Sequence, residues 1–413
     1  MLNPIWLWLV ILAVFIGGFS GNLNAVTTGA AESAKDAVMV IALPLAGWFA
    51  LWLGMMRLAE LAGLIRVVAR ALRPVLRWLF PEVPSEHPAL GAMAMNMAAN
   101  MLGLGNAATP LGLKAMKHLE ALNPRPGVAS NAMCTFLAIN TSSVQLIPAT
   151  AIGILAINGA QHPTAIVSSA FLATLCAFAT GITSVKFLEK LPRYQLPPLP
   201  PVPAAAQTAA PEESAEPAIP EPTPLTRNGK WLLGLYALAM AALAWTLAFP
   251  DQATAFFAML HGWMPKVIPV FAFAPLSADL ARLNLLPRLL SLLGLMALPL
   301  AFTFFPLYAW LRGVKVYEEF VEGAKEGFGV ATRIIPFLVA ILVAVGMFRK
   351  AGGIDLFSRV LGPALGAVGF PVDLLPLVLV RPLSGGATTG VFTEIVQHFG
   401  ADSMNSLMAG TIF

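Results

Sequence analysis

The stretch NMAANMLGLGNAATPLGLKAM, Asn96 to Met116, decides the fold. Its surroundings are apolar enough for a lipid-buried helix. Yet it carries three asparagines, three glycines, a threonine, a proline and a lysine. Asn96 and Asn100 stand four residues apart and share a helical face. Gly103 and Gly105 weaken a helix just after them, and Pro110 suits the first turn of a new one. The stretch therefore reads as helix, break, helix. A break at membrane depth frees backbone N–H and C=O groups, which is tolerated only where protein or a water-filled cavity satisfies them. The exposed helix ends can then meet a polar or charged solute. Asparagine and glycine also serve helix–helix packing, but so many coincident features exceed what packing needs.

The chain around this stretch supports a membrane setting. Of 413 residues, 58% are hydrophobic and 11% charged, against about 25% charged in soluble domains. Apolar segments lie near 4–19, 37–56, 128–157, 164–187, 231–249, 255–275, 287–311 and 330–348, and about 20 helical residues cross a bilayer. The expected fold is an all-α polytopic membrane protein. The net charge of +4 comes with clustered Lys and Arg, which points to membrane orientation and not to nucleic acid. The N-terminal run lacks a positive n-region and reads as a retained transmembrane helix. Cys134 and Cys176 sit in apolar runs without metal or redox spacing and read as small buried apolar residues. The five histidines are scattered. No cofactor motif, metal cluster or catalytic constellation emerges, so an enzyme is not expected.

Residues 191–230 change character abruptly to a Pro/Ala/Glu-rich run, read as a disordered linker. Basic residues flank it (Lys186, Lys190, Arg193, Arg227, Lys230), which places it in the cytoplasm. It divides the chain into membrane halves at 1–190 and 231–413. The halves resemble each other: ESAKD (Glu32–Asp36), Pro44 and LGMMR (Leu53–Arg57) match EGAKE (Glu322–Glu326), Pro336 and VGMFR (Val345–Arg349). GLGNAAT (Gly103–Thr109) then matches LSGGATT (Leu383–Thr389). Such repeats are common in transporters, with the site between broken helices. Whether they run parallel or inverted stays open, because either broken segment can re-enter without crossing. The charged residues that open the repeated helices are spaced for local salt bridges. LAGLIRVVARALRPVLRWLF (Leu61–Phe80) places Arg66, Arg70, Arg73 and Arg77 on one face, a basic amphipathic helix on the membrane surface.

Two further clusters interrupt apolar runs. Asn140, Thr141 and Gln145 lie in FLAINTSSVQLIP, and Arg381, Ser384, Thr388 and Thr389 lie in VRPLSGGATTGVFTEI. Arg381 can pair with an anionic solute, pair with Glu394, or cap its helix at the interface. The candidate solute-contacting set is thus Asn96, Asn100, Asn106, Thr109, Lys114, Asn140, Thr141, Gln145, Arg381, Ser384, Thr388 and Thr389. The partners expected are the lipid bilayer and a small polar or anionic solute. Self-association into a homo-oligomer stays open.

The run NMAANMLGLGNAATPLGLKAM closely resembles the hallmark of the bacterial spore maturation SpmA family. RPLSGGATTG, with the GMFRKAGG stretch before it, resembles the SpmB family, so the chain looks like a fusion of the two. Both belong to the nucleoside recognition, or Gate, domain group. That resemblance implies a multi-pass protein of the bacterial inner membrane, related to parts of concentrative nucleoside transporters and of a ferrous iron transporter. SpmB-like chains continue beyond AGTIF with a polar run and a further helix, so a missing final segment is expected. The leading function is transport; the competing one is a non-transporting assembly factor in envelope or spore maturation.

Overall fold

The computed structural model describes residues 2–103, 105–125, 127–142, 144–194, 223–263, 285–353, 356, 359, 363, 369–381 and 385–413, with backbone alone at 2, 105–107, 250, 251, 257, 260–263 and 285–287. These residues are helical with no strand among them, an all-α fold. Five helices are long and apolar enough to cross a membrane: Leu23–Leu61, Ile166–Leu188, Arg227–Ala248, Arg288–Leu311 and Val316–Lys350.

In chain order, α1 (Leu2–Phe19) is followed by α2 (Leu23–Asp36), which runs through one π-helical turn (Ala37–Ala42) into α3 (Leu43–Leu61). Next come α4 (Leu64–Leu79), α5 (Pro88–Met101), α6 (Gly105–Ala121), α7 (Asn131–Thr141), α8 (Ala149–Ile157) and α9 (Ile166–Leu188). The rest is α10 (Arg227–Ala248), α11 (Pro250–Trp263), α12 (Leu285–Leu311), α13 (Val316–Lys350), α14 (Leu375–Val380), α15 (Gly385–Phe399) and α16 (Met404–Ile412). The linker expected at 191–230 lies mostly outside the described residues. Its downstream end is helical already from Arg227, where the Thr226 hydroxyl accepts the Gly229 N–H at 3.1 Å.

The centre of the molecule is the pairing of α2–α3 with α13. It is close because glycines remove the side chains that would separate the backbones. A Cβ at Gly323 would lie 2.7 Å from the Leu53 carbonyl, and one at Gly327 only 2.4 Å from the Ala50 nitrogen. Farther along, a Cβ at Gly346 would strike Ser33, and one at Gly29 would meet Lys350 at 2.7 Å. Numbers rise on one helix as they fall on the other, so the pair is antiparallel. The sequence repeat equates Ser33 with Gly323 and Gly54 with Gly346. A Cβ at Gly323 also lies 3.0 Å from the Gly54 α-carbon. Exchanging the repeats turns that contact into the one between Gly346 and Ser33. A contact that maps onto itself between antiparallel helices needs a two-fold axis perpendicular to them. For membrane-crossing helices this is the inverted relation, which hydropathy left open.

The repeated stretches also end alike. α3 ends at Leu61 and α13 at Lys350, each followed by one capping alanine and then a glycine, Gly63 (φ +80°) and Gly352 (φ +83°); glycine takes this left-handed conformation without steric cost. Farther on, Ser130 caps α7 by accepting the Met133 N–H at 3.3 Å, and Ser403 caps α16 by accepting the Ser406 N–H at 3.2 Å.

Four sequence expectations change. The apolar run 128–157 is not one helix but α7 and α8, with residues 142–148 unwound between them. Pro110 lies inside α6, which already starts at Gly105. A proline there withholds the N–H that the Asn106 carbonyl would receive in a regular helix. Cys134 and Cys176 are free and exposed; on a helix whose outer face suits lipid, a small apolar residue need not turn inward. The ion pairs at the start of the repeats are only partly local. Lys325 does pair with Glu322 at 2.5 Å, but Glu32 pairs with Lys350 at 3.5 Å, and Arg57 with Glu319 at 3.3 Å and Glu326 at 3.7 Å. The antiparallel pairing brings opposite charges together across the repeat.

Candidate functional site

The break after α5 is built as the sequence suggested. α5 ends in a turn through Leu102 and Gly103 (φ +77°). The carbonyl it strands at Met101 accepts the Leu146 N–H at 3.1 Å, from the unwound segment between α7 and α8. Two irregular segments thus satisfy each other. Amide side chains tie the same crossing: Asn100 Nδ2 donates to Asn140 Oδ1 at 3.1 Å, and Asn140 Nδ2 to the Phe136 carbonyl at 3.0 Å. Asn96 closes the break from inside. It is 2% exposed, and its Nδ2 donates to the Ala108 carbonyl of α6 at 2.7 Å. Gly112 leaves the room: a Cβ there would lie 2.9 Å from that nitrogen.

Beside this crossing lies a cavity of about 260 Å³. Asn100, Gly103, Gln145 and Thr150 form its polar side, and Phe49, Trp52, Leu53, Val330 and Phe413 its apolar wall. It therefore lies between α3, α13, the break and the end of α16. Trp52 is 3% exposed, and its indole Nε1–H is buried without a hydrogen-bond partner among the described residues. A buried donor left unpaired costs about 1–3 kcal/mol. Trp48, one turn earlier, does spend its Nε1–H on the Ala149 carbonyl at 2.8 Å.

The other candidates are distributed as follows. Asn106 lies in the first turn of α6, where backbone alone is described. Thr109 and Lys114 lie on the exposed side of α6, away from the cavity lining. Thr141 is exposed and donates to Leu137 O of its own helix at 2.9 Å. Gln145 lines the cavity, and its backbone N–H donates to Thr174 Oγ1 at 3.3 Å. Arg381 is exposed, with its guanidinium carbon 5.5 Å from the centre of the Phe413 ring. One ring therefore separates it from the cavity. Thr388 and Thr389 are buried in α15, where Thr389 donates to Gly385 O at 3.0 Å. Ser384 lies outside the described residues.

The pairing of Arg381 with Glu394, one of the alternatives read from sequence, is not what forms. Glu394 pairs with Arg349 at the end of α13, because the antiparallel packing puts that helix end against α15. These two line a second cavity of about 110 Å³ with Asp373 and otherwise apolar residues of α1, α13, α14 and α15. The sequence reading also missed Trp52, since tryptophan in an apolar run passes for packing. Trp48 and Trp52 spaced by four in mid-span, away from the interfacial belt where tryptophan concentrates, was the available signal.

A helical, multi-pass architecture with unwound segments crossing beside a buried polar cavity defines an all-α polytopic membrane protein, and the Gate nucleoside recognition family model matches residues 42–158. The chain belongs to the spore maturation protein A and B family. It is 42% identical over 175 residues to spore maturation protein A of Bacillus subtilis (strain 168), covering 42% of this chain and 89% of that protein. It is 39% identical over 125 residues to spore maturation protein B of the same organism, covering 30% of this chain and 70% of that protein. No solved structure matches the chain.

Proposed function

We propose that this protein moves a small polar solute across a bacterial inner membrane, through the cavity beside the α5–α6 break. The observation that carries the reading is the Trp52 indole N–H. It is buried, has no acceptor among the described residues and lines the cavity with the amides of Asn100 and Gln145. The Gly103 turn covers this nitrogen, a Cβ built there lying 3.4 Å from it, so a solute acceptor would meet the unpaired donor as that turn shifts. No charged side chain is among the described residues lining this cavity, so the part of the solute held there is neutral and offers both donor and acceptor groups. Arg381, one ring away, would meet any anionic portion. Two halves, 1–190 and 231–413, inverted about the α3–α13 pair, would let one side open as the other closes.

Basic residues support an orientation. Leu58, Ala62, Tyr308 and Ala309 pack together with Leu225 and Leu233, so the ends of α3 and α12 and the start of α10 share one end of the molecule. Arg57, Arg227, Lys230, Arg312 and Lys315 all fall there. By the positive-inside tendency that end is cytoplasmic.

The test is binding by purified full-length protein in nanodiscs, using a panel of neutral, anionic and cationic metabolites, with counterflow in proteoliposomes for each hit. A neutral polar compound should bind, and Trp52→Phe should abolish its binding while leaving folded yield intact. If nothing in a broad panel binds or exchanges, the transport reading fails and an assembly role becomes the better one.

A further inference from the structure

Helix α4 has three faces where a simple surface helix has two. At 100° per residue, Ile65, Ala69, Leu76 and Leu79 cluster on one side and are buried. Arg66, Arg70, Arg73 and Arg77 occupy a second side. The third is apolar and exposed: Val67 is 43% accessible, Val75 44% and Trp78 78%. The helix is thus already seated on α5 by its first face, yet it presents a complete second apolar stripe. Past that stripe, Val75 and Leu72 wall an apolar cavity of about 230 Å³ between α4, α5 and α9, closed by Met97, Phe171, Leu175 and Phe178.

Two of the four arginines on the middle face carry uncompensated charge. Arg77 pairs with Glu86 at 3.3 Å, whereas Arg70 and Arg73 are exposed with no ion-pair partner among the described residues. Guanidinium groups hold phosphate oxygens in forked geometry. An apolar stripe ending in tryptophan beside them fits the boundary between headgroups and acyl chains, where amphipathic rings settle.

We propose that α4 is a binding site for an anionic phospholipid of the cytoplasmic leaflet. Its phosphate sits on Arg70 and Arg73, and its acyl chain runs along Val67, Val75 and Trp78 toward the cleft with α9. Charge complementarity selects the occupant: a zwitterionic lipid would supply the same chains but no net charge for the arginines.

The experiment uses the full-length protein in nanodiscs that mix phosphatidylglycerol with phosphatidylcholine, with native mass spectrometry of retained lipid. The wild type should retain phosphatidylglycerol selectively. Arg70→Gln/Arg73→Gln should lower that preference about 25-fold, at about fivefold per arginine near an anionic surface. Both arginines are exposed, so folded yield should not change. Independently, brominated phosphatidylglycerol should quench a fraction of the emission that is absent in Trp78→Phe. Equal retention of the two lipids by the wild type, or no quenching assignable to Trp78, overturns the proposal. So does loss of the preference on adding inorganic phosphate, which would make α4 a site for free phosphate.

Discussion

The two broken segments match each other in the sequence repeat and are built from different chemistry. Matching GLGNAAT to LSGGATT sets Asn96 against Pro376, Asn100 against Val380, and Lys114 against Glu394. The first break is clasped by neutral amides: Asn96 reaches across to Ala108, and Asn100 holds Asn140. The second half has Pro376 and Val380 in place of those amides, and the helix after its break carries Glu394, which pairs with Arg349 beside a cavity lined also by Asp373 and otherwise apolar residues. The first cavity is larger and polar, at about 260 Å³ against 110 Å³. The two halves thus put different chemistry near matching positions, and only the amide version lines its cavity with neutral hydrogen-bonding groups. The charge pair meets only part of its own demand, since Arg349 Nε stays buried without a partner among the described residues.

The largest way to break this contrast is Glu394→Ala. It removes the ion-pair partner of Arg349 and leaves Asp373 as the other carboxylate lining that cavity, and it should cost about 3 kcal/mol, the low end for breaking a buried pair because both side chains keep some exposure, read as a lower Tm in detergent. The double change Arg349→Leu/Glu394→Leu should recover most of that loss, since apolar replacement of a buried pair is often neutral. A double variant no better than the single one would mean that the pair is not isolated. Next, Gly327→Ala forces a Cβ against the Ala50 backbone and should cost about 1–3 kcal/mol. Gly329→Ala, where a Cβ meets open space, should stay within about 0.5 kcal/mol. Equal effects would dissolve the glycine-notched interface shared by the halves.

Asn100→Ala removes the donor to Asn140 and should destabilise by about 1–2 kcal/mol. Trp52→Phe removes a donor that has no partner, so Tm should hold or rise slightly while solute binding disappears. A clear loss of stability in Trp52→Phe would show that the indole N–H is satisfied inside the protein.

The smallest expected effect sits in the turns that follow the two breaks. The first half ties its turn with Glu120, whose carboxylate accepts from Asn123 Nδ2 and from the Gly127 N–H, both at 2.9 Å. These bonds, led by Asn123, hold the Glu120 pKa below the usual carboxylate range. A lowered folded-state pKa means stabilisation that is present above the unfolded value of about 4.3. It is lost as pH falls through the lower folded value. Exchange of the Gly127 amide should therefore speed up on strong acidification beyond the intrinsic pH dependence. In the corresponding turn of the second half the Gly400 carbonyl is held by a neutral group, Ser406 Oγ donating at 2.6 Å, while the Asp402 carboxylate accepts from the distant Gln161 N–H, so the amides within that turn should change less.

What sequence made legible was local. Gly103, Gly105 and Asn96 encode the break because glycine conformation and a four-residue spacing act within one helix turn. The arginine face of α4 was legible for the same reason. The partner of Glu394 was not, since it depends on which end of α13 meets α15. The direction of the repeats was hidden too, because hydropathy does not distinguish a crossing from a re-entry. A clue to the interface was present in GAKEG (Gly323–Gly327), whose small residues four apart mark a close helix approach. Trp52 was opaque for a different reason: its role rests on a hydrogen bond that is not made, and composition does not reveal an empty acceptor position.

The glycine-notched pairing of α3 with α13 also sets a timetable for biogenesis. α3 is complete at Leu61, but the helix that covers its notched face starts only at Val316. Roughly 250 residues must be synthesised in between, which at 5–20 residues per second takes roughly 10–50 s. Throughout that interval the nascent α2–α3 segment has an uncovered backbone face with charged groups at both ends, Glu32 and Arg57. The insertion machinery or another membrane helix has to shield it. Nascent chains stalled between these points should therefore be the form of this protein most exposed to degradation.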